Sequence, residues 1–515
     1  MSFSNLKATK HLKKLAESPF NLKELSPERI AKFSAHNCGY KLLYAAERIT
    51  EEVEIALFEL ANESRAHEKM LQMQQGAIIN KIEGYPSENR EVLHTATRDF
   101  FENPIKNSNS IKAASLAHAE VEKLKSFMKE IDQENRFKCL IQIGIGGSYL
   151  GPQAHYEALQ LFGRKDRNVF FLANIDPDEV VSVLQQVDLS ETLVLVVSKT
   201  GTTLETSTNE ALIRDHLQRS GLNPQEHMVS ISMPGSPLDN PKQFRACFHI
   251  WDWIGGRYST TSMVGAVVIA WACGFDIFWE FLKGANAMDK VALQGSSKEN
   301  LPLLAALLGI WNRNFLGHAS LAIIPYSQAL RRFPAHIQQL DMESNGKHVD
   351  QRGNLVDFET GPIIWGEPGT SAQHSFFQLL HQGSTIVPIE FIGFANSQVQ
   401  QDFVFKNSSS QQKLLANLFA QMIALATGQS SDNPNQQFSG NRPSHLILGE
   451  KLSPFALGAL LAFYEHKIAF QGFIWGINSF DQEGVQLGKK IADKIIQLFQ
   501  KQGHYPLAEA YLKEL

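Results

Sequence analysis

Residues 139–151 read Cys139-Leu140-Ile141-Gln142-Ile143-Gly144-Ile145-Gly146-Gly147-Ser148-Tyr149-Leu150-Gly151. A short apolar run ending in clustered glycines reads as a buried strand followed by a tight turn. The same texture recurs at residues 169–172, 193–197 and 227–233, with helical patterns between the runs. Strands that alternate with helices predict a mainly parallel sheet covered on both faces, an α/β domain. Residues 321–325, 354–358 and 385–392 repeat the pattern among longer helical stretches, so a second α/β half is expected. No self-similar repeat at a fixed period is present, which argues against a solenoid or propeller.

Outward from this core, residues 25–64 read as a helical layer. Ser26-Pro27-Glu28 supplies an N-cap, a first-position proline and an acidic first turn, and Thr50-Glu51-Glu52 opens a second amphipathic run. The longest apolar stretch, residues 263–275, stops at Asp276. It is shorter than the ~20 residues a bilayer requires and reads as a buried core helix. Residues 428–444, rich in Gly, Ser, Asn, Gln and Pro, read as an exposed, mobile loop. At 515 residues the chain has room for two large domains or three smaller ones.

The balance of 48 basic against 53 acidic residues, a net charge of −5, lacks the positive field on which nucleic-acid binding relies. The four cysteines, Cys38, Cys139, Cys247 and Cys273, are far apart and form no CxxC pair, which points to a reducing, cytoplasmic setting. Near the N-terminus Lys10, His11, Lys13 and Lys14 interrupt any apolar run of the kind an export signal needs.

In open parallel sheets ligands bind outside the carboxyl ends of the strands, so the loops after them are where chemistry is expected. The glycines of residues 144–151 would let backbone approach a ligand closely, with a helix start behind them. This is neither a dinucleotide fingerprint, since Tyr149 stands where the third glycine belongs, nor a P-loop, and a purely structural turn would use the same glycines. Ser198-Lys199-Thr200-Gly201-Thr202-Thr203 gathers four hydroxyls, a cation and a glycine at a helix start. One cap needs a single hydroxyl, so four favour an anion such as phosphate.

Gly255-Gly256-Arg257-Tyr258-Ser259 places an arginine after two glycines, where its charge could face a developing oxyanion or form an ordinary surface ion pair. Residues 334–345 read as a short helix closed by Asn345-Gly346, with Gln339 and Glu343 four apart on one face. Glu343 is a candidate general base, though alone it would be a solvated glutamate. His374 and His381 follow the turn Gly366-Glu367-Pro368-Gly369-Thr370. Neither has zinc-site spacing, so no metal is expected, and the absence of a GxSxG elbow argues against a hydrolase. Near the C-terminus Gln482 and Lys489, seven residues apart, lead into an amphipathic helix with Ile491, Ile495, Leu498 and Phe499 available for one face.

Taken together, six blocks, at residues 144–152, 198–206, 255–259, 339–347, 366–383 and 464–489, resemble the glucose-6-phosphate isomerase family of the sugar isomerase (SIS) superfamily. The resemblance implies two SIS-type α/β/α sandwich domains with mainly parallel sheets, N-terminal helices and a C-terminal helical segment. It implies an N-terminal helical part of the large domain at 1–102, a small domain carrying the sugar-phosphate loop at 103–280, and the large domain with its C-terminal segment at 281–515. Ser148, Ser198, Lys199, Thr200 and Thr203 match the family's phosphate-binding positions. Glu343 matches its proton-transferring base and Arg257 the group that stabilises the charged intermediate. His374 and Lys489 match residues associated with opening the sugar ring, and Gly256, Gln339 and Gln482 match substrate contacts.

The resemblance further implies a hexose 6-phosphate substrate, no cofactor, and a homodimer in which His374 is supplied across the interface. No nucleic-acid or membrane partner is expected. The chain departs from the family pattern at Thr260-Thr261-Ser262, usually more apolar, at Glu483, where tryptophan is common, at Gln486, often glutamate, and at Ser371-Ala372, usually Asn-Gly. A non-catalytic sugar-phosphate sensor would keep the 198–203 loop but has no need of Glu343, Arg257, His374 and Lys489 together.

Overall fold

Five strands form the smaller of two main sheets, in the spatial order Asn168–Leu172, Cys139–Ile143, Thr192–Val197, Met228–Ser232 and Ala246–His249. Every neighbouring pair is parallel. The computed structural model describes residues 2–295 and 297–515. Thr192–Val197 is buried along its whole length, which is why its sequence is continuously apolar rather than alternating. The chain lays down Cys139–Ile143 first, then a strand on one side of it, then Thr192–Val197 on the other. The connections therefore diverge at the carboxyl ends of these two central strands, the topological switch where an open sheet leaves a crevice. Residues 144–148 and 198–203 emerge there.

The larger sheet runs in the order Ser34–Asn37, Tyr40–Leu43, Ser444–Gly449, Ile389–Phe394, Ser320–Pro325 and Ile363–Trp365. Its last four strands are parallel and the first two pair antiparallel. The hairpin corrects the all-helical reading of residues 25–64. The helices Pro27–Lys32 and Glu51–Glu63 are present, but two four-residue strands lie between them. Cys38 and Gly39 turn the hairpin with φ of 48° and 77°, the pairing of positive values that a two-residue hairpin loop demands. Residues 354–358 also form no strand; only an isolated bridge joins Val349 to Leu355.

Met263–Cys273 is a helix buried on all sides, as its apolar run predicts, and among the described residues no helix is long and apolar enough to cross a membrane. The 428–444 segment is more ordered than a plain loop. Gln429 bridges Phe438, and the buried Arg442 guanidinium donates to the Gly383 and Thr385 carbonyls at 2.7 and 3.1 Å. All four cysteines are free thiols. The chain divides into two compact units, Met1–Ser479 and Phe480–Leu515. The second consists of the short turn Glu483–Val485 and the helices Gln486–Phe499 and Pro506–Leu512.

A charged cluster lies at the centre of the first unit. The Arg98 guanidinium, fully buried, donates to Asp289 through Nε and Nη2 at 2.8 and 2.7 Å, and to Glu465 Oε2 at 2.7 Å. His466 Nε2 lies 2.6 Å from Asp289 Oδ1. Thr261, one of the polar departures, joins it: its hydroxyl is 2.7 Å from Thr97 Oγ1 and accepts from Arg98 Nη1 at 3.2 Å. Burial works to raise the Asp289 carboxyl, and Arg98 overrides it, holding the group well below the usual carboxylate range.

Removing one member of a buried ion pair leaves its partners charged and unpaired, at a cost of about 3–5 kcal/mol. Arg98→Met should therefore lower unfolding stability by about that amount, measured by chemical denaturation, whereas a loss under ~1 kcal/mol would mean that the cluster contributes little. Asp341 behaves oppositely. It is 1% exposed and accepts from Asn345 Nδ2 at 3.4 Å. Burial pushes its carboxyl up to about 7, with Lys467 opposing. A folded-state pKa above the unfolded one stabilises below the unfolded value and is lost as pH rises through the folded value. Asp341→Asn should thus gain thermal stability relative to the native chain as pH is raised from about 4 to about 8; a constant difference across that range would refute this.

Candidate functional site

The 198–203 loop leaves the central strand with Ser198 buried at its start and Thr200 and Thr202 exposed. Ser198, 3% exposed, accepts from the Gly201 N–H at 3.1 Å, and its Oγ lies 3.0 Å from Thr203 Oγ1. Thr203 is the N-cap of the helix Leu204–Arg219, yet its side chain makes no capping bond. The hydroxyls thus serve the loop rather than the cap, the arrangement expected where an anion is met by donors at a helix start. Thr200 Oγ1 accepts from the Thr202 N–H at 3.3 Å and lies 2.9 Å from the Thr202 hydroxyl.

Lys199 is placed differently from a simple phosphate-binding lysine. Its ammonium donates to the carbonyls of Asp252 and Ile254 at 2.9 and 3.0 Å and lies 3.6 Å from the Asp252 carboxylate. Burial, and then the charge of Arg90, bring it down to about 8. The side chain thereby ties the 198–203 loop to the turn that precedes Gly255-Gly256-Arg257.

The glycine-rich loop becomes the short turn Gly146–Ser148 ahead of the helix Leu150–Leu159, held where the Gln142 side-chain amide donates to the Ser148 carbonyl at 2.7 Å. It meets the Gly256–Tyr258 turn backbone to backbone. A Cβ on Gly147 would stand 2.2 Å from the Gly256 carbonyl carbon and oxygen and 2.7 Å from the Arg257 nitrogen, which no side chain could tolerate. A Cβ on Gly146 would come 3.3 Å from Gln339 Nε2. The glycine loop therefore abuts both the arginine turn and the helix carrying Gln339.

That helix, Phe333–Asn345, begins with Pro334 in its first turn and is followed by Gly346, as its sequence predicts. Gln339 and Glu343 share a face, and Gln339 Nε2 donates to Glu343 Oε2 at 3.1 Å. Arg257 is 2% exposed, which rules out the surface ion pair. Its Nη1 approaches Glu343 Oε2 at 3.5 Å, its Nε donates to Ser344 Oγ at 2.7 Å, and its Nη2 donates to the Ser479 carbonyl at 2.6 Å. A half-buried carboxylate with a buried guanidinium beside it can act as a base next to a fixed positive charge.

These contacts bring the glycine loop, Gly256, Arg257, Gln339 and Glu343 together, and Lys199 links the loop of Ser198, Thr200 and Thr203 to the turn before Gly255. His374 does not belong to this group within one chain. It follows the short helix Gly369–Gln373, its side chain is exposed, and its N–H donates to the Ser371 carbonyl at 3.0 Å. Gln482 and Lys489 lie in the second unit, just before and within its long helix. Ser344 and Tyr258 were not singled out from the sequence. The available signal was their position directly after Glu343 and Arg257. Among the described residues no group of three or more His, Cys, Asp and Glu side chains could hold a metal ion.

The sequence matches the family profile described as "Phosphoglucose isomerase" over residues 43–506. A glucose-6-phosphate isomerase from Protochlamydia amoebophila (strain UWE25) is 56% identical over 521 residues, spanning 100% of this chain and 97% of that protein. Another from Chlamydia abortus is 50% identical over 517 residues, spanning 99% and 97%. The crystal structure of a glucose-6-phosphate isomerase from Chlamydia trachomatis D/UW-3/Cx matches with a TM-score of 0.97 at 49% identity, covering 100% of this chain and 99% of that one. The two-sheet α/β architecture and the near-complete alignment agree: this chain belongs to the phosphoglucose isomerase family.

Proposed function

We propose that this chain interconverts D-glucose 6-phosphate and D-fructose 6-phosphate, a step of glycolysis and gluconeogenesis, with Glu343 as the base. The observation that carries the residue assignment is the approach of Arg257 Nη1 to Glu343 Oε2 at 3.5 Å, beside the glycine loop. With the sugar open, Glu343 takes the proton from C2 of the aldose, and the electron pair moves through C1 onto its carbonyl oxygen. Arg257 meets the negative charge of this cis-enediol(ate). Glu343 then returns the proton to C1 while the C2 hydroxyl proton moves to O1, leaving a ketone at C2. All hydrogen stays within the substrate, so the reaction calls for no redox cofactor.

Ser148, Ser198, Thr200 and Thr203 hold the phosphate, with the Lys199 charge close behind, and Gly256, Gln339 and Gln482 contact the sugar. Ring opening falls to His374 and Lys489. The exposed position of His374 supports a homodimer in which each site receives it from the partner subunit.

A positioned base is worth ~10²–10⁴-fold. Glu343→Gln should therefore lower kcat at least about 10²-fold in a coupled assay from fructose 6-phosphate, with KM little changed. Wild-type turnover in that variant would overturn the base assignment, and tight binding of fructose 6-phosphate without turnover by the native chain would favour a sensor. Mixing Glu343→Gln with His374→Ala subunits after dissociation tests the shared site. Random reassortment makes half the dimers mixed, each with one intact site, so about a quarter of native activity should return. No recovery in verified mixed dimers would place His374 and Glu343 of each site in the same subunit.

A further inference from the structure

We propose that Ser344 is a positioning residue: its hydroxyl anchors the Nε edge of the Arg257 guanidinium so that Nη1 faces the reacting carbons instead of closing onto Glu343. The inference rests on the reading of Glu343 as the base and Arg257 as its electrostatic partner.

A guanidinium presents its donors in a rigid planar fork, so fixing one edge fixes the direction of the rest. In Arg257 the edge made by Nε and Nη2 is held by Ser344 Oγ at 2.7 Å and the Ser479 carbonyl at 2.6 Å. Nη1 is the nitrogen that approaches Glu343, and 3.5 Å is longer than the ~2.7–2.9 Å of a charge-assisted hydrogen bond. The two groups are near enough to share an intermediate and form an ion pair without a short, directed hydrogen bond between them. Ser344 is fully buried and directly follows Glu343 in the helix, so one turn of backbone carries both the base and the anchor of its partner.

The anchor is itself braced. Tyr258 Oη lies 3.1 Å from the same Ser344 Oγ. The Tyr258 ring packs 4.6 Å from the buried His94 ring, and His94 Nε2 lies 3.9 Å from Glu465 Oε2. The direction of Arg257 is thus set by packing that runs back to the charged cluster around Arg98.

Without the Ser344 hydroxyl, Arg257 should swing onto Glu343, and charge meant for the intermediate would be spent on the base. An interaction of this kind acts in the transition state rather than in binding, so kcat should fall and KM should not. The full chain would be assayed as Ser344→Ala, Ser344→Thr and Tyr258→Phe, with Glu343→Gln alongside. Ser344→Ala should lose about tenfold or more in kcat with KM within about twofold, and Ser344→Thr should recover most of the loss because it keeps the hydroxyl. Tyr258→Phe should show a smaller loss of the same kind, and it carries the test if Ser344→Ala does not fold. Wild-type kcat in Ser344→Ala, an equal loss in Ser344→Thr, or a rise in KM matching the fall in kcat would each overturn the proposal. A fully active Glu343→Gln would instead overturn the underlying reading, whereas an inactive one beside an unaffected Ser344→Ala removes only the role of Ser344.

Discussion

The Arg98 guanidinium is shut away from water and meets two carboxylates, Asp289 and Glu465, that are equally buried. Its three partners in space come from distant parts of the chain: the helices Phe275–Ala292 and Pro454–Trp475 and the Thr261 segment. Charges placed in an apolar interior are costly unless every donor and acceptor finds its counterpart, so the helices are held to the one arrangement in which they do. An apolar core could tolerate small slips between these helices. A bidentate pair tolerates few.

That constraint reaches the candidate site through Tyr258 and Thr261. Both lie within four residues of Arg257, and both touch the cluster, one through His94 and the other directly. The arginine turn is therefore fixed from behind by the core and from the front by the glycine loop. The helix carrying Gln339 and Glu343 is the third wall. The placement of Arg257 thus depends on buried groups, which suits a reaction in which a small displacement of a charge is expensive.

The strands of the smaller sheet were legible because parallel strands buried on both faces are written as short, unbroken apolar runs, as at residues 192–197. The hairpin at residues 34–43 was not, since two strands of four residues at a sheet edge carry too little periodicity to compete with flanking helices; its only strong signal was Gly39. In the site, Gln339 and Glu343 could be placed together from their spacing alone. The engagement of the Lys199 ammonium by the 252–254 turn could not, because a lysine next to hydroxyls reads as a ligand whichever way its stem bends. Thr261 reads as a departure from an apolar pattern until Arg98, 163 residues away, supplies its reason.

Gly147 and Gly256 touch with nothing but peptide between them. The separation of the glycine loop from the arginine turn is therefore set by backbone against backbone, which neither compresses nor changes rotamer. A side chain at position 147 would push the arginine turn away and carry Arg257 with it.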